Sequence, residues 1–519
     1  MTERSRVSYS VINISASIGG YILNIILSFI CRVIFVHILG AEYLGVSSIF
    51  ANILSLLSLT ELGIGTAMIY ALYKPIADRD TKKIASYMRV YGKAYRTVGL
   101  VVFGLGLALM PFLKIVIREQ LTISENLYVL YMLFLSSTAI SYFYSYKGSI
   151  LIANQKNYIV VTISYIVVIL QDIAQIIVLL LFRNYILYLI LQVLFVFITN
   201  VLISRQADHD YPYINDKEAE PLSEQEKRTL KRNIKALTIT KLSGILVNDT
   251  DHLVIAYFKG VIQTGVVSNY SLLISIVQSF VSQIFTSLSA SLGNLNASSD
   301  HEHKYEVFKA LNLANFWVYA VCAIMFVLLS GDFITLFFGE EYALQMEIPI
   351  ILGVNFYMLG MQSVVGMYKS TMGLFRHGQY ALFFTAFFNL VGDIVLGKHY
   401  GVFGIFLATA LARLITNTWY EPFVVYKFGL QKPFSKYIVR YLMYAVLLGL
   451  TGASCVWLCS LIHTYLLIQL LLKLMIGFVY SNLIFIFVFH GWEEFAYLKM
   501  IALRVYAGIV GRIGRIRNN

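Results

Sequence analysis

Charge is what this sequence has least of. Only 13% of its 519 residues are charged, against about a quarter in ordinary soluble domains. A chain of this length cannot then divide into several water-facing cores, and most of it belongs in lipid. Cysteine is scarce as well. Cys31, Cys322, Cys455 and Cys459 all fall inside apolar stretches, with no CxxC and no Cys/His cluster, so no metal site is encoded and each reads as a small buried residue. No basic stripe marks a soluble face. The net charge of +12 is spread between apolar runs, which excludes nucleic acid as a partner and points to membrane topology. The basic opening MTERSRVSYS runs into an apolar stretch that extends to Leu39, far beyond a signal-peptide core, and is expected to be an uncleaved first helix.

What fills the sequence instead is apolar segments of about 20 residues, the length that spans hydrocarbon, in a chain that is 58% hydrophobic. Cutting at charge clusters predicts an all-α polytopic membrane protein with about fourteen transmembrane helices. They fall near 11–39, 44–72, 98–117, 127–150, 158–181, 185–204, 236–258, 267–291, 310–330, 348–370, 380–397, 402–421, 437–460 and 466–490. Lys and Arg placement tests that count. With the amino terminus in the cytoplasm, 32 Lys/Arg lie on the inner side, counting Lys147, Lys241, Lys369 and Arg440 at the inner ends of their spans, and five on the outer side (Lys114, Arg118, Arg183, Lys259 and Lys398), while Arg32, Arg413 and Lys473 lie deeper within spans. A missed or invented helix would spoil the alternation, so both termini are expected to be cytoplasmic.

The outside loops are all short, which leaves little room for catalysis on that face. Residues 205–235 form a polar cytoplasmic linker. It separates an amino-terminal lobe of six helices (1–204) from a second lobe of six (236–425), which is followed by two more helices (426–490). A basic amphipathic tail (491–519) is expected to lie on anionic lipid. Within the linker, Ser223 and Glu226 have capping-box spacing and predict a surface helix leading into the seventh span.

The two lobes carry a faint repeat. At an offset of 220, Gly40-AEYL-Gly45-Val46-Ser-Ser48 pairs with Gly260-VIQT-Gly265-Val266-Val-Ser268, and at 222, Tyr146-Lys147 and Tyr158 pair with Tyr368-Lys369 and Tyr380. Thr199-Asn200 and Thr416-Asn417 follow in the same order. Six helices separate the matches, so both lobes have the same orientation, as in transporters with parallel repeats that work by alternating access.

Ionisable residues inside spans are costly and usually face the bundle interior or a wet cavity. The clearest are Arg32, Glu61, Asp172, Lys241, Asp249, Asp251, His252, Asp393 and Arg413. Arg32, Lys241 and Arg413 are candidate cavity cations: arginine offers phosphate a bidentate fork and lysine a point charge. Each could instead snorkel or pair with a nearby carboxylate. At the 220 offset Arg32 aligns with His252 and lies within one position of Asp251. The Asp249, Asp251 and His252 group is thus a candidate gate or ion-coupling site, or a set of capping groups at a break in the seventh span. Glu61, beside Gly63 and Gly65, serves either ion coupling or close helix packing. Asp172 is a candidate for coupling or for pairing with a neighbour, and Asp393 is a weaker one.

Several stretches resemble the Wzx-type polysaccharide-transporter branch of the MOP exporter superfamily. They are Arg32-Val-Ile-Phe35 with Leu39-Gly40-Ala-Glu42-Tyr43-Leu44-Gly45-Val46, Glu61-Leu-Gly63-Ile-Gly65, and Leu72-Tyr73-Lys74-Pro75-Ile76. Tyr211-Pro212, Val247-Asn248-Asp249-Thr250-Asp251 and Gly265-Val266-Val-Ser268-Asn269-Tyr270 belong with them. The resemblance implies two six-helix lobes around a cationic cavity, plus two further helices. It implies a flippase that moves undecaprenyl-pyrophosphate-linked oligosaccharide across the bacterial cytoplasmic membrane, for capsule, exopolysaccharide or O-antigen assembly. Membrane lipids and a polysaccharide polymerase machinery are the implied partners. It supplies no catalytic residue, metal or cofactor, and it leaves H+ or Na+ coupling open. His252 departs from the pattern, where the family often has Asn. The competing readings are an ion-coupled multidrug antiporter of the same superfamily, disfavoured by the intramembrane cations, and a membrane polysaccharide polymerase, disfavoured by the short outer loops.

Overall fold

A computed structural model describes residues 3–58, 64–118, 121–216, 220–248, 250–298, 300–374 and 381–503. Every regular element among them is helical, as lipid demands of a backbone that must satisfy its own hydrogen bonds. The chain resolves into two compact units, Met1–Ser268 and Asn269–Asn519.

The first unit opens with α1 (Glu3–Leu39), α2 (Ala41–Leu57), α3 (Ile64–Ala77), α4 (Thr81–Leu109) and the short α5 (Leu113–Val116). It continues through α6 (Leu127–Tyr144), α7 (Gly148–Ala153), α8 (Asn157–Phe182) and α9 (Tyr185–Asp210). It closes with α10 (Glu224–Asn248), α11 (Asp251–Lys259) and the first turns of α12 (Val261–Ser298). Small residues set the packing, because in lipid helices associate through close contact and not through a hydrophobic drive. Gly106 of α4 receives Leu135 of α6 so closely that a methyl group there would clash, and Tyr131 donates its hydroxyl to the Gly106 carbonyl at 3.1 Å.

The second unit holds the rest of α12, then α13 (His301–Phe338), α14 (Glu347–Thr371), α15 (Ala381–Ile415), α16 (Asn417–Val424), α17 (Ser435–Ser460) and α18 (Leu466–Phe489). Lys473 of α18, counted above as a cation within a span, is paired there: its Nζ lies 2.7 Å from Asp332 Oδ2 of α13, and Gln469 donates to the same carboxylate at 3.2 Å. Residues 493–503 are helical and dock on this unit. Glu494 accepts from Arg440 at 2.6 Å, and Phe495 stacks on Trp317 at 5.8 Å. Tail residues 504–519 lie outside the described residues.

Among the described residues, eleven helical stretches are long and apolar enough to cross a membrane. The expected fourteen differ for local reasons. In the second expected span the described residues form α2 and α3, and residues 59–63 between them lie outside the described residues. The eleventh and twelfth are the two arms of one stretch, Ala381–Leu430, divided as expected near Gly401, whose φ of 61° with ψ of −138° suits glycine. The seventh is divided between α10, which ends at Asn248, and α11, which begins at Asp251 after Thr250.

The linker is more helical than expected: α9 runs to Asp210, and α10 passes from the linker into the seventh span without interruption up to Asn248. The capping box at its start is present. Ser223 N donates to Glu226 Oε2 at 3.0 Å, and Glu226 N returns to Ser223 Oγ at 3.4 Å.

The repeat has structural counterparts. Gly40 and Gly260, each the residue before a helix, have nearly the same backbone geometry (φ 92°, ψ 178° and φ 89°, ψ 174°). The matched lysines do matching work inside their own units: Lys147 binds Asp208 at 2.6 Å, and Lys369 binds Glu421 at 2.9 Å. Within the first unit, the matched glycine segments also meet. A Cβ on Gly45 would collide with the Val261 carbonyl, and one on Gly265 with the Ala41 carbonyl and the Gly45 amide. Each copy leaves the space that the other's backbone fills.

Candidate functional site

The break between α10 and α11 and the cation opposite it form the first candidate site. Arg32 sits about two turns before the end of α1 and is half-buried. Its Nη2 donates to Ser268 Oγ of α12 at 2.7 Å, and Ser268 in turn donates to the Gly265 carbonyl at 2.7 Å. The glycine segment therefore positions the hydroxyl that positions the guanidinium. His252, in the first turn of α11, lies within electrostatic reach of Arg32, and Asp251 beside it is buried at 5% exposure. Asp251 is the first residue of α11, after Thr250, and a carboxylate in the opening turn of a helix is favoured by the exposed N–H groups there. Discontinuous helices of this kind build ion and substrate sites in transporters, since their free ends present backbone polar groups inside the membrane. Asp249 and Glu61 lie outside the described residues, as does the Lys241 side chain, although its backbone is part of α10.

Asp172 is not part of this cluster. It projects from α8, buried at 6% exposure, and accepts a 2.6 Å hydrogen bond from Ser28 of α1. It thus has the neighbour that the pairing alternative required.

The second unit contains a polar seam that the sequence reading undervalued. Thr385, Asn389 and Asp393 recur every four residues on the first half of α15, all with 0% exposure. Facing them are Thr409, on the second half beyond the Gly401 fold, and Thr416, the residue before α16. Asn389 Nδ2 donates to Thr409 Oγ1 at 2.9 Å and to Asp393 Oδ1 at 3.1 Å. Thr385 meets Thr416 at 2.7 Å. Asn389 Oδ1 is buried and has no hydrogen-bond partner among the described residues. A carboxylate, an amide oxygen and a hydroxyl so gathered can hold a proton or a small monovalent cation.

Arg413, expected among the cavity cations, is buried at 5% exposure on the same helix half. Its Nη1 donates to the Asn355 carbonyl of α14 at 3.0 Å, while the Asn355 side chain donates to Phe406 O at 2.7 Å. In this conformation it ties α15 to α14. Sequence reasoning passed over Ser268, Asn389 and Thr409 because neutral residues carry no flag in an apolar span. The signal was present in the alignment of Ser268 with Ser48 and in the four-residue spacing of Thr385, Asn389 and Asp393.

No protein-family profile and no curated protein sequence matches the chain. Solved structures do. The lipid II flippase MurJ, in an inward closed conformation, superposes with a TM-score of 0.63 at 15% identity, covering 91% of this chain and 99% of MurJ. A mutant of the Vibrio cholerae MATE transporter VcmN gives 0.57 at 13% identity over 83% of this chain and 99% of VcmN. An inward-facing multidrug resistance MATE transporter gives 0.55 at 13%, over 77% of this chain and 94% of that one. The chain is a multi-pass membrane protein with the fold of MOP-superfamily transporters, the architecture shared by the lipid II flippase and the multidrug MATE proteins.

Proposed function

We propose that the protein is a flippase of the Wzx type, moving undecaprenyl-pyrophosphate-linked oligosaccharide across the bacterial cytoplasmic membrane by alternating access. The observation that carries this reading is Arg32. A guanidinium held by Ser268 beside a broken helix is a costly feature inside a membrane, and the chemistry it suits is an anion that must leave water to cross. A cationic drug would be repelled there. The fold adds support, because it is shared with a protein described as a lipid II flippase. Expression in cells lacking their polysaccharide flippase separates the readings: restored surface polysaccharide is expected, and drug resistance without restored polysaccharide would favour the multidrug alternative.

The charge asymmetry of the loops supports an orientation with both termini in the cytoplasm. Single cysteines introduced at Asp78 and at Asn215 are expected to react with a membrane-impermeant thiol reagent only after the cells are broken open. Reaction at either position in intact cells would overturn that orientation.

Asp393 is our assignment for coupling. A carboxylate at 0% exposure within a membrane span is costly in its charged form, and in a seam where it already accepts from Asn389 it is suited to take up and release a proton or a cation such as Na+. Asp393→Asn keeps the shape and removes the charge. We expect it to lower transport at least tenfold in proteoliposomes driven by an ion gradient, with unchanged protein level. Undiminished gradient-driven transport in the variant would exclude this carboxylate from coupling.

A further inference from the structure

Where α3, the start of α4 and the surface helix α10 come together, the first unit has an open cleft of about 650 Å³, within the range of ordinary ligand sites. Its walls combine three tyrosines, Tyr70, Tyr73 and Tyr87, with three carboxylates, Asp78, Asp80 and Glu226. Tyr70 is 69% exposed and Tyr73 50%, and their rings meet edge to face with centroids 6.5 Å apart. Gln225 and Asn233 line the cleft from α10, and each amide can both donate and accept.

The charges are arranged to be quiet. Lys83 Nζ lies 2.5 Å from Glu226 Oε1, and the Glu226 carboxyl, held by that lysine, stays below the usual carboxylate range. Asp80 accepts from the Lys83 backbone N–H at 2.9 Å as the cap of α4. Lys74 and Lys83 stand against three carboxylates, so phosphate meets no net positive charge. A cation gains little from Glu226 and Asp80, which are already engaged, and at Asp78 it meets the two lysines of the same walls. What remains is a set of oriented lone pairs and amides beside open ring faces, and that combination suits a ligand with many hydroxyls and exposed C–H faces.

We infer that this cleft binds the saccharide portion of the transported molecule, separately from the phosphate site at Arg32. On the charge-derived topology it faces the cytoplasm, where the sugar head group would first arrive. The inference rests on the flippase reading only for what the sugar is attached to.

The test uses the purified full-length protein in nanodiscs. The probe is a panel of free, phosphate-free oligosaccharides of hexoses, deoxyhexoses and N-acetylhexosamines, read by saturation-transfer NMR and calorimetry. At least one is expected to bind, with affinity reduced tenfold or more by combined Tyr70→Ala and Tyr73→Ala, and largely kept by Tyr70→Phe and Tyr73→Phe, which preserve the rings. Arg32→Ala should leave free-sugar binding intact. No binding by any member of the panel, or equal binding by the alanine variant with an unchanged melting temperature, overturns the inference. So does displacement of the sugar by tetraphenylphosphonium at matched concentration. If export also persists in the alanine variant, the cleft assignment fails while the flippase reading stands.

Discussion

Polysaccharide export is expected to fall about 10- to 100-fold when Arg32 is replaced by alanine, with the protein still inserted at its normal level. A hydrogen bond to a charged group contributes about 1.5–3 kcal/mol, and each 1.4 kcal/mol is a factor of ten. Arg32 lies inside a span and directs one guanidinium nitrogen to Ser268, and a planar guanidinium is the group best suited to pair with phosphate. Arg32→Lys should recover part of the activity, because charge returns without the planar fork. Ser268→Ala should cost less than either, since the guanidinium loses its orientation but keeps its charge. The measurement is surface polysaccharide per unit of membrane-inserted protein in flippase-deficient cells. Wild-type export by Arg32→Ala would remove the phosphate role, and equal loss in the alanine and lysine variants would point to a purely structural one.

The second large effect concerns packing. Gly45→Leu and Gly265→Leu are each expected to abolish export. Neither position has room for even a first carbon: at Gly45 it would enter the Val261 carbonyl, and at Gly265 it would lie 2.8 Å from the Gly45 amide nitrogen. Backbone cannot swing aside as a flexible side chain can. Overpacking of this kind costs about 1–3 kcal/mol or more even where neighbours can adjust, and here the displaced turn carries Ser268, which holds Arg32. Gly104→Leu is the control, as nothing lies within 4 Å of a Cβ there. Normal export by either glycine variant would show that the contact is dispensable. Export lost equally in the control would show that the assay responds to leucine in a span and not to this contact.

How far these features could be read from sequence depended on whether the cause was local. The capping box at Ser223 and Glu226 is a four-residue signal, and it formed where spacing placed it. Apolar length located the spans, and it separated the eleventh from the twelfth close to Gly401, where the backbone leaves the helix. The Tyr-Lys matches at 147 and 369 were weak as letters. Their partners Asp208 and Glu421 are 61 and 52 residues away, a separation at which no periodicity operates. Arg32 was visible as a charge out of place, yet its partner is a serine 236 residues distant. Buried neutral donors such as Asn389 and Thr409 escape a reading that searches for charge, because their role comes from the helix they face.

The meeting of the two glycine segments has a consequence for how such a chain can change over generations. A duplicated segment is ordinarily free to drift once one copy suffices. Here each copy is part of the mould for the other. A bulkier residue at 45 would require backbone to retreat at 261, and one at 265 would require the same at 41. The two halves are therefore bound to vary together at this point even as their sequences diverge elsewhere, and the most durable trace of the duplication should be the places where a side chain is missing.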